Sequence, residues 1–209
     1  MVRRFLGVAA LALLAGCATN RAEVDVDVLP PSTTQAPAPS NGKVVYISAV
    51  DERVFQIKPT RFDVPSLKYD EIDDKSITER AIARKRNNYN MAIGDVLLPK
   101  GRTVSQLVGD AVASAYRQAG YEVVSTPTAG NAKEVNVKIV EFWSWSGAEG
   151  VLDKVIRNQS VLQINTAGAP EYTVKTLVQE NAKVVTDKDW KKITEAGLEA
   201  IVQETQKQL

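Results

Sequence analysis

The chain has 209 residues, 44% hydrophobic and 24% charged, a composition ordinary for a globular protein. Its 26 Lys and Arg against 25 Asp and Glu leave a formal charge of +1, which argues against a dedicated nucleic-acid binder. With no His and a single Cys, the chain has no His-based triad, no His-ligated metal, no internal disulfide and no Cys-rich zinc site.

The N-terminus opens with the basic Met1-Val2-Arg3-Arg4, followed by an apolar run over residues 5–15. That run is shorter than the ~20 residues needed to span a bilayer, but it suits the core of a secretory signal peptide. It ends in Leu14-Ala15-Gly16-Cys17 and is followed by the polar Ala18-Thr19-Asn20. Here the chain resembles bacterial lipoprotein precursors, in which the leader is cleaved before the Cys and the Cys is acylated. The resemblance implies a signal peptide over residues 1–16, lipidation at Cys17 and anchoring by acyl chains. A conventional signal peptide with an incidental Cys is the plainer alternative. Ala18 rather than Asp follows Cys17, which by the sorting convention of such lipoproteins implies the outer membrane, facing the periplasm. Loss of Arg3 and Arg4 leaves the mature chain nearly neutral, so membrane contact is expected through lipid rather than a polybasic patch.

Residues 17–42 read as the acylated Cys and a flexible, Pro-rich tether with no binding motif. Within it Val24, Val26 and Val28 alternate with acidic residues and could form a short edge strand. The folded part is expected over residues 43–209 as one domain, cooperatively folded on its own.

Val44 to Val50 is apolar on both faces and predicts a central strand. Thr103 and Gln106 form a capping box before a stripe of Val104, Leu107, Val108, Ala111, Val112 and Ala115, closed by Gly120 and Tyr121, which predicts a helix. A short strand follows at residues 121–124. Val135, Val137 and Ile139 alternate with polar residues in a strand expected to continue through Phe142 and Trp143. Residues 155–166 and 172–180 predict a hairpin, and a last helix starts near Asp187 with Trp190, Ile193, Gly197, Leu198 and Ile201 on one face. The expected class is α+β, an antiparallel sheet with two covering helices in the order β-α-β-β-β-β-α. This order resembles, in topology, envelope modules such as the N-terminal domain of the Tol system's β-propeller protein.

Residues 55–99 are too many for an ordinary strand-to-helix connection and read as a long insertion. It carries an acidic run (Asp70, Glu71, Asp73, Asp74) and a basic run (Arg80, Arg84, Lys85, Arg86), and residues 76–84 predict two helical turns. The acidic run lacks the Gly and final Glu of a calcium loop, so a solvated face is expected, with no metal. The basic run is a candidate partner-binding site, for lipid heads, wall carboxylates or an acidic protein patch, or else pairs with the acidic run. Taken together, Arg80, Arg84 and Arg86 are expected to contribute little to stability. Trp143-Ser144-Trp145 puts two indoles on one side of a strand, either as a second candidate partner-binding site or, the favoured reading, packed in the core against the terminal helix.

Without His, catalysis would fall to carboxylates such as Asp51, Glu52, Asp63, Asp95, Glu141 and Glu149. There is no phosphate-binding Gly-Lys-Ser/Thr loop, no Gly-x-Ser-x-Gly elbow and no Ser-x-x-Lys. No catalytic residue and no cofactor are expected. The lipobox, the helix ending Arg117-Gln118-Ala119-Gly120-Tyr121, the strand through Val135 and Ile139 and the terminal helix together resemble the YajG-type family of small bacterial lipoproteins. That resemblance implies a non-enzymatic accessory module of the cell envelope, with a protein or cell-wall partner and no nucleic acid. Two alternatives stay open: an accessory lipoprotein of a lipid or solute transport system, and a carboxylate-based wall hydrolase.

Overall fold

A computed structural model describes residues 21–28, 38–87, 89, 91–127, 131–149 and 153–209. The leader, Cys17 and most of the Pro-rich stretch lie outside the described residues. The elements are β1 (Ala22–Glu23), β2 (Val44–Asp51), α1 (Lys75–Thr78), β3 (Ala81–Arg86), β4 (Ala92–Leu97), α2 (Val104–Gln118), β5 (Glu122–Val124), β6 (Lys133–Glu149), β7 (Asp153–Thr166), β8 (Tyr172–Ala182) and α3 (Asp187–Gln206). The class is α+β, as expected, but the sheet is mixed rather than antiparallel and its strand order differs from the expected one.

The spine of the sheet is β6, which is 17 residues long. One edge pairs along its length with β7, and β7 with β8, both antiparallel as short turns require. The other edge is shared. The first half of β6 pairs in parallel with β2 (Val45 opposite Lys133 through Asp51 opposite Ile139), and the second half meets β3 in parallel at Ala83 opposite Ser144. β5 adds in parallel to β2 beyond the α2 crossover, β4 pairs antiparallel with β3, and β1 lies parallel on β4. The expectation of an all-antiparallel sheet failed because α2 returns the chain to the same edge, which forces a parallel pair.

Residues 81–86 form a strand, not the second turn of a helix. Ala, Arg and Lys favour helices intrinsically, but Ala81, Ile82 and Ala83 are fully buried in the sheet, and burial overrides a weak local preference. The 55–99 segment thus supplies two strands as well as a covering loop. The two long helices fall where the periodicity placed them. Thr103 and Gln106 exchange the expected reciprocal bonds at 3.1 and 3.2 Å, and Asp189 accepts from the Thr186 amide and hydroxyl at the start of α3. Both helices cover one face of the sheet. The main core lies between, from Val45, Val135, Val137 and Ile139 to Leu107, Val112, Trp190 and Ile201. Helix α3 packs closest on β7 at Gly197, where a Cβ would stand 2.0 Å from Asn158 Oδ1.

A β-bulge divides β6. Ile139 lies opposite Leu162 and Glu141 opposite Val161, so Val140 is an extra residue on the β6 side. An inserted residue flips the faces of all that follow. Odd-numbered Val135, Val137 and Ile139 face the helices, but beyond the bulge even-numbered Phe142 joins that core and Ser144 bonds Asn158 and Thr194 there. Trp143 is thrown to the opposite face. It centres a second core with Leu67, Ala81 and Leu97, flanked by Phe55, Ile72, Ile77 and Trp145. The tryptophans therefore pack under the 55–80 loop and not against the terminal helix.

Where β2 ends and β3 has yet to begin, Arg53 fills the joint. Its side chain is fully buried and donates to the carbonyls of Ala81 (2.7 Å), Phe142 (3.0 Å) and Thr78 (2.9 Å), while Asp51 receives two bonds at 2.8 and 2.7 Å. A guanidinium fork can serve carbonyls from two strands and a turn at once.

The N-terminal segment is not a free tether over its described part. β1 extends the sheet, the Val24 amide donates to Leu97 O at 2.9 Å, and Val24 and Val26 are buried in the main core. Lys191 Nζ reaches Asp25 O at 2.6 Å and the Asp27 amide reaches Glu195 at 3.2 Å, fastening the segment along α3. Ala38 and Asn41 bond to Gln118 and Gly120 at the end of α2. The expected boundary at residue 43 therefore cuts through packed chain.

Two outcomes follow from this packing. A fragment of residues 43–209 should lose more than ~3 kcal/mol in urea melts relative to the full mature chain, because each buried Val contributes about 1.5 kcal/mol or more; equal midpoints would restore the tether. Arg53→Lys should cost about 2–4 kcal/mol, since an ammonium cannot serve all three carbonyls; a loss under ~1 kcal/mol would show that the joint does not need the fork.

Candidate functional site

The basic run is woven into the fold. Arg80 donates to Ser76 O (2.9 Å), Leu98 O (2.7 Å) and Glu23 (2.8 Å), tying β1 to the turn before β3. Arg84, only 8% exposed, faces Asp95 at 3.5 Å, and Lys85 pairs with Asp187 at 2.7 Å at the start of α3. Arg86 stacks over the Phe62 ring at 4.8 Å. Strand alternation sends Lys85 to the opposite face from Arg84 and Arg86. The four residues thus do not form one cationic patch.

The acids that Arg80, Arg84 and Lys85 meet are Glu23, Asp95 and Asp187, none of them in the upstream acidic run. Glu71 turns inward and accepts from Arg21 at 2.7 Å, and Arg21 also reaches Asp95 at 3.2 Å. Asp95 is 1% exposed, and burial raises its carboxyl above the ordinary value despite the two arginines. Asp74 caps α1 through the Ser76 amide at 2.9 Å.

The carboxylates named for hydrolysis are dispersed. Asp51 holds Arg53, Glu52 lies 3.9 Å from Lys138, Asp63 pairs with Arg61, and Glu141 accepts from Gln159 at 2.7 Å. The side chain of Glu149 lies outside the described residues, as does Cys17. Among the described residues no group of three or more acidic, Cys or His side chains is placed to hold a metal. Trp143 is fully buried with its indole edge-on to Phe55 at 5.9 Å, and Trp145 is half-buried beside it. An enclosed Trp143 cannot stack on an external ligand.

Two concavities lie at opposite ends of the sheet. A groove of about 360 Å³ is lined by Lys85, Arg86, Tyr89, Ile93, Lys154 and Val184. At the other end a pocket of about 680 Å³ is lined by Tyr116, Tyr121 and Tyr172, with Leu209 and the cations Lys43 and Lys133. Its rings are ordered by mutual contact. Tyr116 and Tyr121 meet edge-on at 5.0 Å, the Tyr116 and Tyr172 hydroxyls are 3.3 Å apart, and Lys43 sits 5.4 Å over the Tyr121 ring. Burial and the Tyr116 hydroxyl push the Tyr172 phenol well above its ordinary value. Sequence reading did not find this pocket. Its only signal was Tyr121 after Gly120, which reads as a helix-end contact; the third ring comes from a hairpin 50 residues on.

No family model matches the chain, and no curated protein matches it. Among solved structures, an uncharacterized protein aligns over 89% of this chain and 99% of its own, at 12% identity and a TM-score of 0.42. A Xanthomonas campestris protein of the DUF330 family aligns over 90% of both chains, at 10% identity and a TM-score of 0.42. A minor lipoprotein from Acinetobacter baumannii aligns over 48% of this chain and 79% of its own, at 9% identity and a TM-score of 0.36. At TM-scores below 0.5 these likenesses bear on neither the fold nor the activity of this chain.

The basic run is separable by substitution. Arg84→Gln should lower stability by about 2–4 kcal/mol, because it leaves Asp95 buried with one cation fewer. Arg86→Gln should cost about 1 kcal/mol, the scale of one ring contact. Equal, negligible losses in denaturant melts would mean that Arg84 and Asp95 are not a buried pair.

Proposed function

We propose that this chain is a non-enzymatic lipoprotein, anchored through acylated Cys17 in the outer membrane and facing the periplasm, where it serves as a binding or accessory module of the cell envelope. The observation that carries this reading is the N-terminal series: a basic start, an apolar run over residues 5–15, Leu14-Ala15-Gly16-Cys17, and no further Cys. Acyl chains give stable anchoring when two or more are present, at about 0.8 kcal/mol per buried methylene. No helix among the described residues is long and apolar enough to cross a membrane.

Within that reading, the tyrosine-lined pocket favours a role beside a lipid or solute transport system over a purely structural one. Aromatic walls with two flanking lysines suit an anionic amphiphile, its chain against the rings and its head against Lys43 or Lys133. The hydrolase reading has less to support it, because its carboxylates are dispersed and engaged with Arg, Lys or Gln side chains.

Cys17→Ser tests the anchor. In cells the variant should accumulate as unprocessed precursor or as a product that no longer sediments with membranes, whereas the parent sediments with the outer-membrane fraction. Normal processing and unchanged fractionation would contradict the lipoprotein reading.

A further inference from the structure

The groove-bearing end of the sheet gathers exposed apolar side chains. β3 ends there, β4 and β7 begin there, and β8 ends there. Tyr89 is 84% exposed, Met91 59% and Val184 71%, with Ile93 beside them. Single exposed apolar residues are ordinary. Here they cluster around a groove that also carries Lys154, and exposed Lys183 precedes Val184, whereas Lys85 at the same groove is held by Asp187 and Arg86 lies over Phe62.

The described chain begins near this same end. β1 runs parallel to β4 with Ala22 opposite Val96, and the Arg21 guanidinium reaches back to Asp95. The described chain therefore begins at Arg21, beside Asp95 and three residues from the start of β4 at Ala92. Cys17 is four residues from Arg21, a span of at most ~14 Å even when fully extended. On the lipoprotein reading, a lipid on Cys17 would hold Arg21 within that span of the bilayer surface.

We propose that this end of the domain is a docking face for an anionic phospholipid surface, with Tyr89, Met91 and Val184 in the headgroup layer and the neighbouring cations over the phosphates. The proposal rests on the lipoprotein reading. Amphipathic rings such as that of Tyr89 settle at the headgroup level. Each nearby Lys or Arg adds about 1 kcal/mol toward an anionic surface, roughly fivefold in the docked fraction. An acyl anchor alone fixes distance; this face would also fix orientation.

The test uses the acylated full mature chain in vesicles of phosphatidylcholine with phosphatidylglycerol. Acylation consumes the only native thiol, so single cysteines at Met91→Cys, Val184→Cys or, at the far end, Ala169→Cys take an environment-sensitive fluorophore selectively. Brominated lipid should quench the labels at 91 and 184 several-fold more than the label at 169. Lys154→Gln with Lys183→Gln should cut that contact about fivefold per cation in the anionic vesicles and leave pure phosphatidylcholine vesicles unchanged. Equal quenching at all three positions, or none above background at 91 and 184, would overturn the lipid assignment and leave the face to a protein partner. The mass of the N-terminal peptide from the same sample separates the two claims. An unmodified Cys17 overturns both, and a diacylglyceryl Cys17 with unquenched labels overturns the docking face alone.

Discussion

One extra residue in one strand organises this molecule. Val140 interrupts the alternation of β6, so its first half turns Val135, Val137 and Ile139 to the helices while its second half turns Trp143 the other way. Without that inserted residue, the largest side chain of the strand would compete with α3 for the main core, and the opposite face would have nothing to bury. With it, one strand serves two cores. The bulge also falls where β2 stops and β3 takes over the neighbouring edge, the joint that Arg53 closes with three backbone carbonyls. Bulge, edge exchange and buried guanidinium are parts of one solution to a 17-residue strand whose second edge no single neighbour spans.

The arrangement gives the domain two unlike ends. At one, the ends of β3 and β8 and the starts of β4 and β7 gather exposed Tyr89, Met91 and Val184. At the other, the end of β7, the start of β8 and the end of α3 surround a pocket of three tyrosines. The second core holds the 55–80 loop against the sheet through Leu67 and Trp143, and Arg21 ties that loop to β4 through Glu71 and Asp95. The sheet thus sets the distance between the groove and the tyrosine pocket.

How much of this was legible in the sequence follows from the range of the interactions involved. The α2 helix, with its Thr103–Gln106 box and Gly120 end, and the β6–β7–β8 meander are written in local periodicity and turn residues, and both were read correctly. β3 was not, because Ala81 to Arg86 has the composition of a helix and becomes a strand only by burial between β4 and β6. The packing of Val24 and Val26 was hidden by the prolines that follow them. The face of Trp143 could not be read because a bulge has no sequence signature; simple alternation from Val135 places it on the helix side. The basic run looked like a patch because neighbours in sequence were treated as neighbours on a surface, whereas strand geometry and partners such as Asp95 and Asp187 separate them.

The central claim is that Val140 sets the two faces of β6, and deleting that one residue tests it directly. Fluorotryptophan-labelled protein should give a dispersed fluorine resonance for Trp143 in the parent chain, as expected for an indole enclosed by Phe55 and Leu67. The deletion should collapse that resonance to the solvent-exposed position and abolish the single cooperative melt, because every side chain beyond Ile139 is driven to the wrong face. A deletion variant that melts cooperatively within about 1 kcal/mol of the parent, with the Trp143 resonance unmoved, would contradict the account.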